Sequence, residues 1–326
     1  MPDKKDLSLA TVVDTKASVN IILPGIKDDV TDEKYTYIKQ GNATNKLAKA
    51  RSSEVDILGN ATFKSEDFKA SIYKKANTAL SKLNTVVKVF LDYLVMDFTQ
   101  QGSGDTKVSV KLKDFMKARN LKDIKETRKQ VLTAMKAIDD ITLDFSDKYN
   151  GKVLNRINIK ISGGSFGIVN GVIFFRFNHE FASILRNYSV MHYPLELFGF
   201  NAKYNPHSYH LLRTMAEHKK MNRGKPNADI MSVKTLIEAC PSFPRYEEIE
   251  RKSFSQKILE PFERDMDAIK SISWQYCNTN GTEAEAPDTH LEFQKAKVLI
   301  LWKEHPDNNF VPQKKPKKNK LVNKKS

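Results

Sequence analysis

The reading turns on Tyr204–Tyr276, which runs YNPHSYHLLRTMAEHKKMN (Tyr204–Asn222), a loop, SVKTLIEAC (Ser232–Cys240), PSFPRYEEI (Pro241–Ile249), ERKSFSQKILEPFERDMDAI (Glu250–Ile269) and KSISWQY (Lys270–Tyr276). The first, second and fourth of these segments space their apolar residues as helices do. The third is a Pro-rich turn, and the last alternates like a strand. In the fourth, Phe254, Ile258, Leu259, Phe262, Met266 and Ile269 make one apolar stripe, with Ser253 placed to cap the helix. Three helices running into a β-ribbon, in a basic chain, outline a winged helix. Such a module lays one helix in the major groove of DNA.

The same order occurs upstream. From about Asn77, the residues Leu80, Leu83, Val86, Val87, Phe90, Leu91, Leu94 and Val95 predict a long helix that Gly102-Ser103-Gly104 ends. A strand is expected at Lys107–Leu112, a short helix at Lys113–Arg119, and a longer one at Ile124–Ile141. In that longer helix Ile124, Val131, Leu132, Met135 and Ile138 are expected to face inward. Strands at Thr142–Ser146 and Val153–Ile161, turning at Asn150-Gly151, read as the first wing. A further run, Ser165–Phe177, adds strands. His179–Arg186 reads as a connecting helix, Tyr188–Phe200 as an aromatic bridge, and Ser271–Asn278 with Glu292–Trp302 as the second wing. The fold class expected is α+β, with tandem winged-helix domains (helix-turn-helix variants) carrying β-hairpin wings. The organisation is a partly ordered extension (1–75), a first domain with appended strands (76–187) and a connector (188–203). A second domain (204–312) and a disordered tail (313–326) follow.

The chain has 326 residues, with 54 Lys and Arg against 39 Asp and Glu, a formal charge of +15. That balance favours a polyanionic partner, and nucleic acid is the commonest one. The tail QKKPKKNKLVNKKS (Gln313–Ser326) holds seven lysines and no acid, yet without them the remainder is still +8. A tail of this kind adds salt-sensitive phosphate contacts without sequence information. No apolar run approaches the roughly 18–20 residues that span a bilayer, and MPDKKDLSLATVVD has no signal-peptide core. A cytoplasmic protein without membrane contact is expected. Cys240 and Cys277, the two cysteines, read as buried thiols rather than a disulfide or zinc framework.

Three basic groups are candidates for DNA contact. At the start of the Glu250–Ile269 helix, Arg251 and Gln256 suit guanine and adenine, Lys257 suits phosphate or guanine, and Lys252 and Ser253 flank them. In the first module Lys125, Thr127, Arg128 and Lys129, with Lys122 and Lys136, form a basic face opposite Val131, Met135 and Ile138. Around the loop that follows the first helix of the second module, Lys219, Lys220, Arg223 and Lys225 suit phosphate positioning. A solvated basic surface is the competing explanation for each group. No enzyme is read. His207-Ser-Tyr-His210 has neither the spacing nor the carboxylate of a metal or nicking site, and Gly163–Gly167 lacks a phosphate-gripping lysine. The acids Glu260, Glu263, Asp265 and Asp267 do not share one helix face. No catalytic residue, metal or cofactor is expected.

Several positions in the second module match a family pattern: Leu236-Ile237, Tyr246, Phe254, Ile258-Leu259-Glu260-Pro261, and Ile269 leading into Ile272, Trp274 and Tyr276. The run resembles the second winged helix of plasmid replication initiators, the Rep proteins that bind repeated origin sequences (iterons). The likeness covers about 70 residues, mostly core positions; the first module matches in element order. It makes Pro261 a family feature, although proline in a helix interior removes a hydrogen bond. It implies origin binding by both winged helices, a homodimer that represses its own gene and a monomer that initiates. The expected function is therefore sequence-specific binding of double-stranded DNA at origin repeats, with recruitment of a host helicase or initiator protein. The alternative is a transcriptional or phage regulator built from the same modules, with no replication role.

Overall fold

Helix α2 (Thr85–Gln101) is buried on every side from Val87 to Met96, as befits a helix that other elements surround. The Asn84 side chain caps it by accepting from the Val87 amide, and Gly102, at φ 57°, ends it. In the computed structural model the residues described are 34–51, 54–55, 61–65, 68–72, 84–102, 104–149, 152–244 and 253–309. Outside them lie Val19–Leu23, Leu80, Leu83, the Asn150-Gly151 pair, Tyr246, Arg251, Lys252 and the lysine tail.

Beside α2 stand strand β5 (Lys107–Lys111), helix α3 (Leu112–Ala118), helix α4 (Ile124–Asp139), and strands β8 (Ser162–Val169) and β9 (Val172–Phe177). These strands make an antiparallel sheet in the order β5-β9-β8. Strands β8 and β9 turn at Asn170-Gly171, where both residues have positive φ, the requirement of a tight hairpin turn. The hairpin expected at 142–161 is therefore not the one that joins this sheet. Strands β6 (Ile141–Tyr149) and β7 (Lys152–Lys160) do form a hairpin. They belong, however, to another sheet, ordered β2-β3-β4-β6-β7, with β2 (Glu54–Val55), β3 (Ala61–Ser65) and β4 (Phe68–Ile72). Residues 142–161 have the alternation of a hairpin, but periodicity does not say which strand is the neighbour.

The second half repeats the plan. Helix α6 (Ser208–Asn222), strand β11 (Ile230–Ser232), helix α7 (Val233–Ala239), helix α8 (Glu260–Asp267), and strands β12 (Ile272–Cys277) and β13 (Lys297–Trp302) follow in order. Their sheet is ordered β11-β13-β12. In both three-stranded sheets the first strand pairs with the last, and the last with the middle one. The insertions differ in place: the first half adds β6 and β7 between α4 and β8, and the second adds helix α9 (His290–Lys295) between β12 and β13. Thr289 and Glu292 make a capping box there, so Glu292–Lys295, expected as strand, is helical.

Pro261 sits where its missing N–H costs little. Ser255–Leu259 form a π turn, in which the Glu260 amide bonds to the Ser255 carbonyl, and Pro261 enters the first turn of α8. The helix begins anew at the proline.

The strands and the helix described between Tyr35 and Ile72, expected within the extension, are built into the body. Strand β1 (Tyr35–Gln40) pairs with β10 (Ser189–Pro194) from the expected connector, and helix α1 (Asn42–Lys49) packs beside β6. Arg51 donates to the carbonyls of Ile237, Cys240 and Phe243, covering the end of α7. Helix α5 (His179–Asn187) is found where a connecting helix was expected. The Tyr188–Phe200 bridge touches both halves: Arg119 at the end of α3 donates to the Phe198 carbonyl, and the Glu196 carboxylate accepts from the amides of Lys270 and Ser271.

Candidate nucleic-acid interface

Helix α4 is capped by Asp123, whose carboxylate accepts from the amides of Lys125 and Glu126. Its buried line is Thr127, Val131, Ala134, Met135 and Ile138, spaced at helical intervals. Three sequence expectations change as a result. Thr127 faces the core, 2% exposed, and its hydroxyl donates to the Asp123 carbonyl, so it is not a DNA contact. Ile124 and Leu132, expected inward, are 46% and 38% exposed. The reason is a rotation of the apolar stripe toward Ala134 and Thr127, two small residues that let α4 approach its neighbours. What faces solvent is Ile124, Lys125, Glu126, Arg128, Lys129, Leu132, Thr133 and Lys136, four cations and one acid. None of these four cations makes an ion pair among the described residues.

The second candidate helix is divided by its π turn. Phe254, Ile258, Phe262, Met266 and Ile269 are buried as expected, and Gln256 and Lys257 are exposed. Ser253 is half-buried and begins the described part of the helix. Asp265 is fully buried: Arg264 donates to one carboxylate oxygen at 2.8 Å, and the His207 amide to the other at 2.7 Å. That bond covers the open amino end of α6. The remaining acids point elsewhere, Glu263 accepting from the Tyr276 hydroxyl and Asp267 from the Trp274 indole. Glu260, by contrast, stays at the start of the helix, exposed, where it accepts from the Ser255 hydroxyl at 3.0 Å.

The third group is corrected. Lys219 is 5% exposed and its ammonium bonds both oxygens of Asp229, at 2.8 and 3.0 Å. Lys220 and Arg223 approach Asp307 at 3.9 and 3.5 Å. Burial lowers the Lys220 pKa despite that carboxylate. Burial opposes the Asp307 charge, but a His192 hydrogen bond and the Lys220 ammonium hold its carboxyl well below the usual range. Lys225 alone of the group is exposed, its ammonium bonded to the Asn222 side chain. This loop fastens the end of α6 to the turn at Pro306–Asn309 and has little charge to offer a phosphate.

His207 and His210 sit in the core. The His207 ring stacks on Phe243 at 3.6 Å and contacts the Ser242 hydroxyl at 2.7 Å, and burial pushes its pKa down to about 4. The His210 ring lies 3.4 Å from the Thr85 hydroxyl. Among the described residues no group of three or more His, Cys, Asp and Glu is placed to hold a metal ion. Cys240 and Cys277 are both free and buried. No described helix is long and apolar enough to cross a membrane.

No protein-family model matches the chain, and no curated protein matches it. Two crystal structures of domains 2 and 3 of RctB align with it at TM-scores of 0.42 and 0.40, each at 10% sequence identity. The alignments cover 81% and 79% of this chain, and 99% and 96% of the RctB chains. A likeness of that size carries no argument about function.

Proposed function

We propose that the chain is a sequence-specific double-stranded DNA-binding protein built on two winged-helix units, and that it initiates replication of a plasmid or related mobile element. The observation that carries DNA binding is the repeated plan. Each half has helix, strand and helix, then a further helix with exposed cations (Lys125, Arg128, Lys129 and Lys136 in the first, Lys257 in the second), beside a sheet in which first strand pairs with last and last with middle. The units are taken as 76–187 and 204–312. The α4 face and the Ser253–Lys257 end of the second helix are the DNA-reading elements, with Arg251 and Lys252 adjoining in sequence. The initiator role rests on the resemblance of Leu236–Tyr276 to iteron-binding Rep proteins. On this reading the protein works in the cytoplasm without chemistry or cofactor of its own. It binds origin repeats, as a dimer for repression and a monomer for initiation, and recruits a host helicase or initiator.

The test is footprinting on the DNA flanking the gene. Protection of directly repeated sites supports the initiator. A single or palindromic site favours a regulator, and binding without sequence preference at moderate salt overturns the reading.

A further inference from the structure

Along α4, residues 125, 129, 132 and 136 fall at intervals of four, three and four, which places them in one line on the helix surface. Three are lysines, all exposed, and the fourth is Leu132. The line lies opposite the buried residues Thr127, Val131, Ala134 and Ile138. Leu132 therefore lies outside the buried line, and 38% of its surface remains in water between Lys129 and Lys136. A lone exposed leucine is unremarkable by itself; its position decides the matter. If α4 enters a major groove, the lysines at the two ends of the line reach the flanking phosphates. The centre of the line then goes deepest, against base edges. Apart from hydrogen-bonding groups, the feature that groove offers an aliphatic side chain is the C5-methyl of thymine.

We propose that Leu132 is a specificity-determining residue that contacts a thymine methyl, so that α4 prefers an A·T pair at the middle of its half of the site. This rests on the reading of α4 as a DNA-reading helix. Lys125, Lys129 and Lys136 supply affinity that is indifferent to sequence, and Leu132 supplies a preference. Arg128, exposed four residues before Leu132 and on the same face of the helix, is placed to approach the neighbouring base or phosphate.

The experiment uses the full chain and a duplex selected from a fully randomised library. Each thymine of the selected site is replaced in turn by uracil, which keeps base pairing and removes the methyl group. The wild type should lose about fourfold in affinity at one position, the worth of one buried methyl. Leu132→Ala should bind the thymine and uracil duplexes equally. Lys129→Ala should weaken both to the same extent and keep the uracil penalty. Indifference of the wild type to uracil at every position, with duplex binding intact, overturns this proposal alone. So does an unchanged uracil penalty in Leu132→Ala. Failure to select any preferred duplex overturns the proposed function and this inference together. Because Leu132 is exposed and alanine favours helix, loss of folding does not confuse the result.

Discussion

The Arg213 guanidinium donates to the Asp92 carboxylate across 2.8 Å, and with side chains 2% and 6% exposed the pair joins α6 to α2 away from water. Tyr209 donates to the same carboxylate oxygen at 2.7 Å, Gln40 to the other at 3.3 Å, and Arg213 reaches Asn45 at 3.1 Å. Burial disfavours the guanidinium charge, but Asp92 outweighs it and keeps Arg213 protonated. The first helices of the two halves are thus linked through groups that are costly to separate.

Removing one partner strands the other charge in the interior, so Asp92→Asn or Arg213→Met should cost about 3–5 kcal/mol. Urea unfolding of each variant measures this. The double variant Asp92→Leu with Arg213→Met should recover much of the loss, because an apolar pair leaves no unpaired charge. A single-variant loss below about 1 kcal/mol, the range of exposed pairs, would contradict the burial argument.

The two lysine groups should behave oppositely. Lys219→Ala breaks a largely buried ion pair with Asp229, so it should lower stability by about 1 kcal/mol. It should leave the salt dependence of DNA binding unchanged. Lys125→Ala and Lys129→Ala should leave stability within about 0.5 kcal/mol, while each reduces the slope of log affinity against log salt by about 1. Thermal melts and binding titrations at several salt concentrations separate the two patterns.

In the second unit, Gln256 and Lys257 project from the π turn. If Lys257 reads a base, Lys257→Ala should cost about 1–3 kcal/mol on the selected site and relax one position of the preference. A uniform loss across unrelated sequences would assign it to phosphate instead.

Acid should destabilise the fold through two histidines. Burial holds the pKa of His207 at about 4 and that of His305 at about 3, against an ordinary 6.5. The unfolded chain therefore binds more protons between those values. The stability these residues hold above pH 6.5 is lost as pH falls through the folded pKa values. Asp97 acts in the other sense: burial raises its pKa from 3.8 to about 6, so its contribution is lost as pH rises through 6. His207→Phe, which preserves stacking on Phe243, should flatten the slope of stability against pH between about 4 and 6.5. An unchanged slope would mean that His207 titrates normally.

Most elements were legible in the sequence because their signals are local. Gly102 ends α2 through its own backbone angle and Ser232 opens α7 by accepting from the Thr235 amide, whereas the apolar spacing put the start of α2 near Asn77 and the cap is Asn84. The buried stripe Phe254–Ile269 follows from its spacing alone. Lys125, Arg128, Lys129, Gln256 and Lys257 were likewise found exposed. Thr127 and Lys219 were not separable from their neighbours, since a polar type does not report a turn of the helix or a distant partner. Lys219 is held by Asp229 across a loop, and Lys220 and Arg223 by Asp307, which follows the last strand.

By itself, then, the sequence determined the helices, the alternating strands, the basic charge and the repeated order of elements, all of which depend on residues close in the chain. The tertiary structure decided which strand pairs with which. It placed β6 and β7 in a different sheet from β8 and β9, and drew β1, α1, β3 and β4 into the body. It also turned α4 so that Thr127 is buried and Leu132 is exposed. Those outcomes depend on partners far apart in sequence, whose competition for the same neighbours is settled only when the whole core packs.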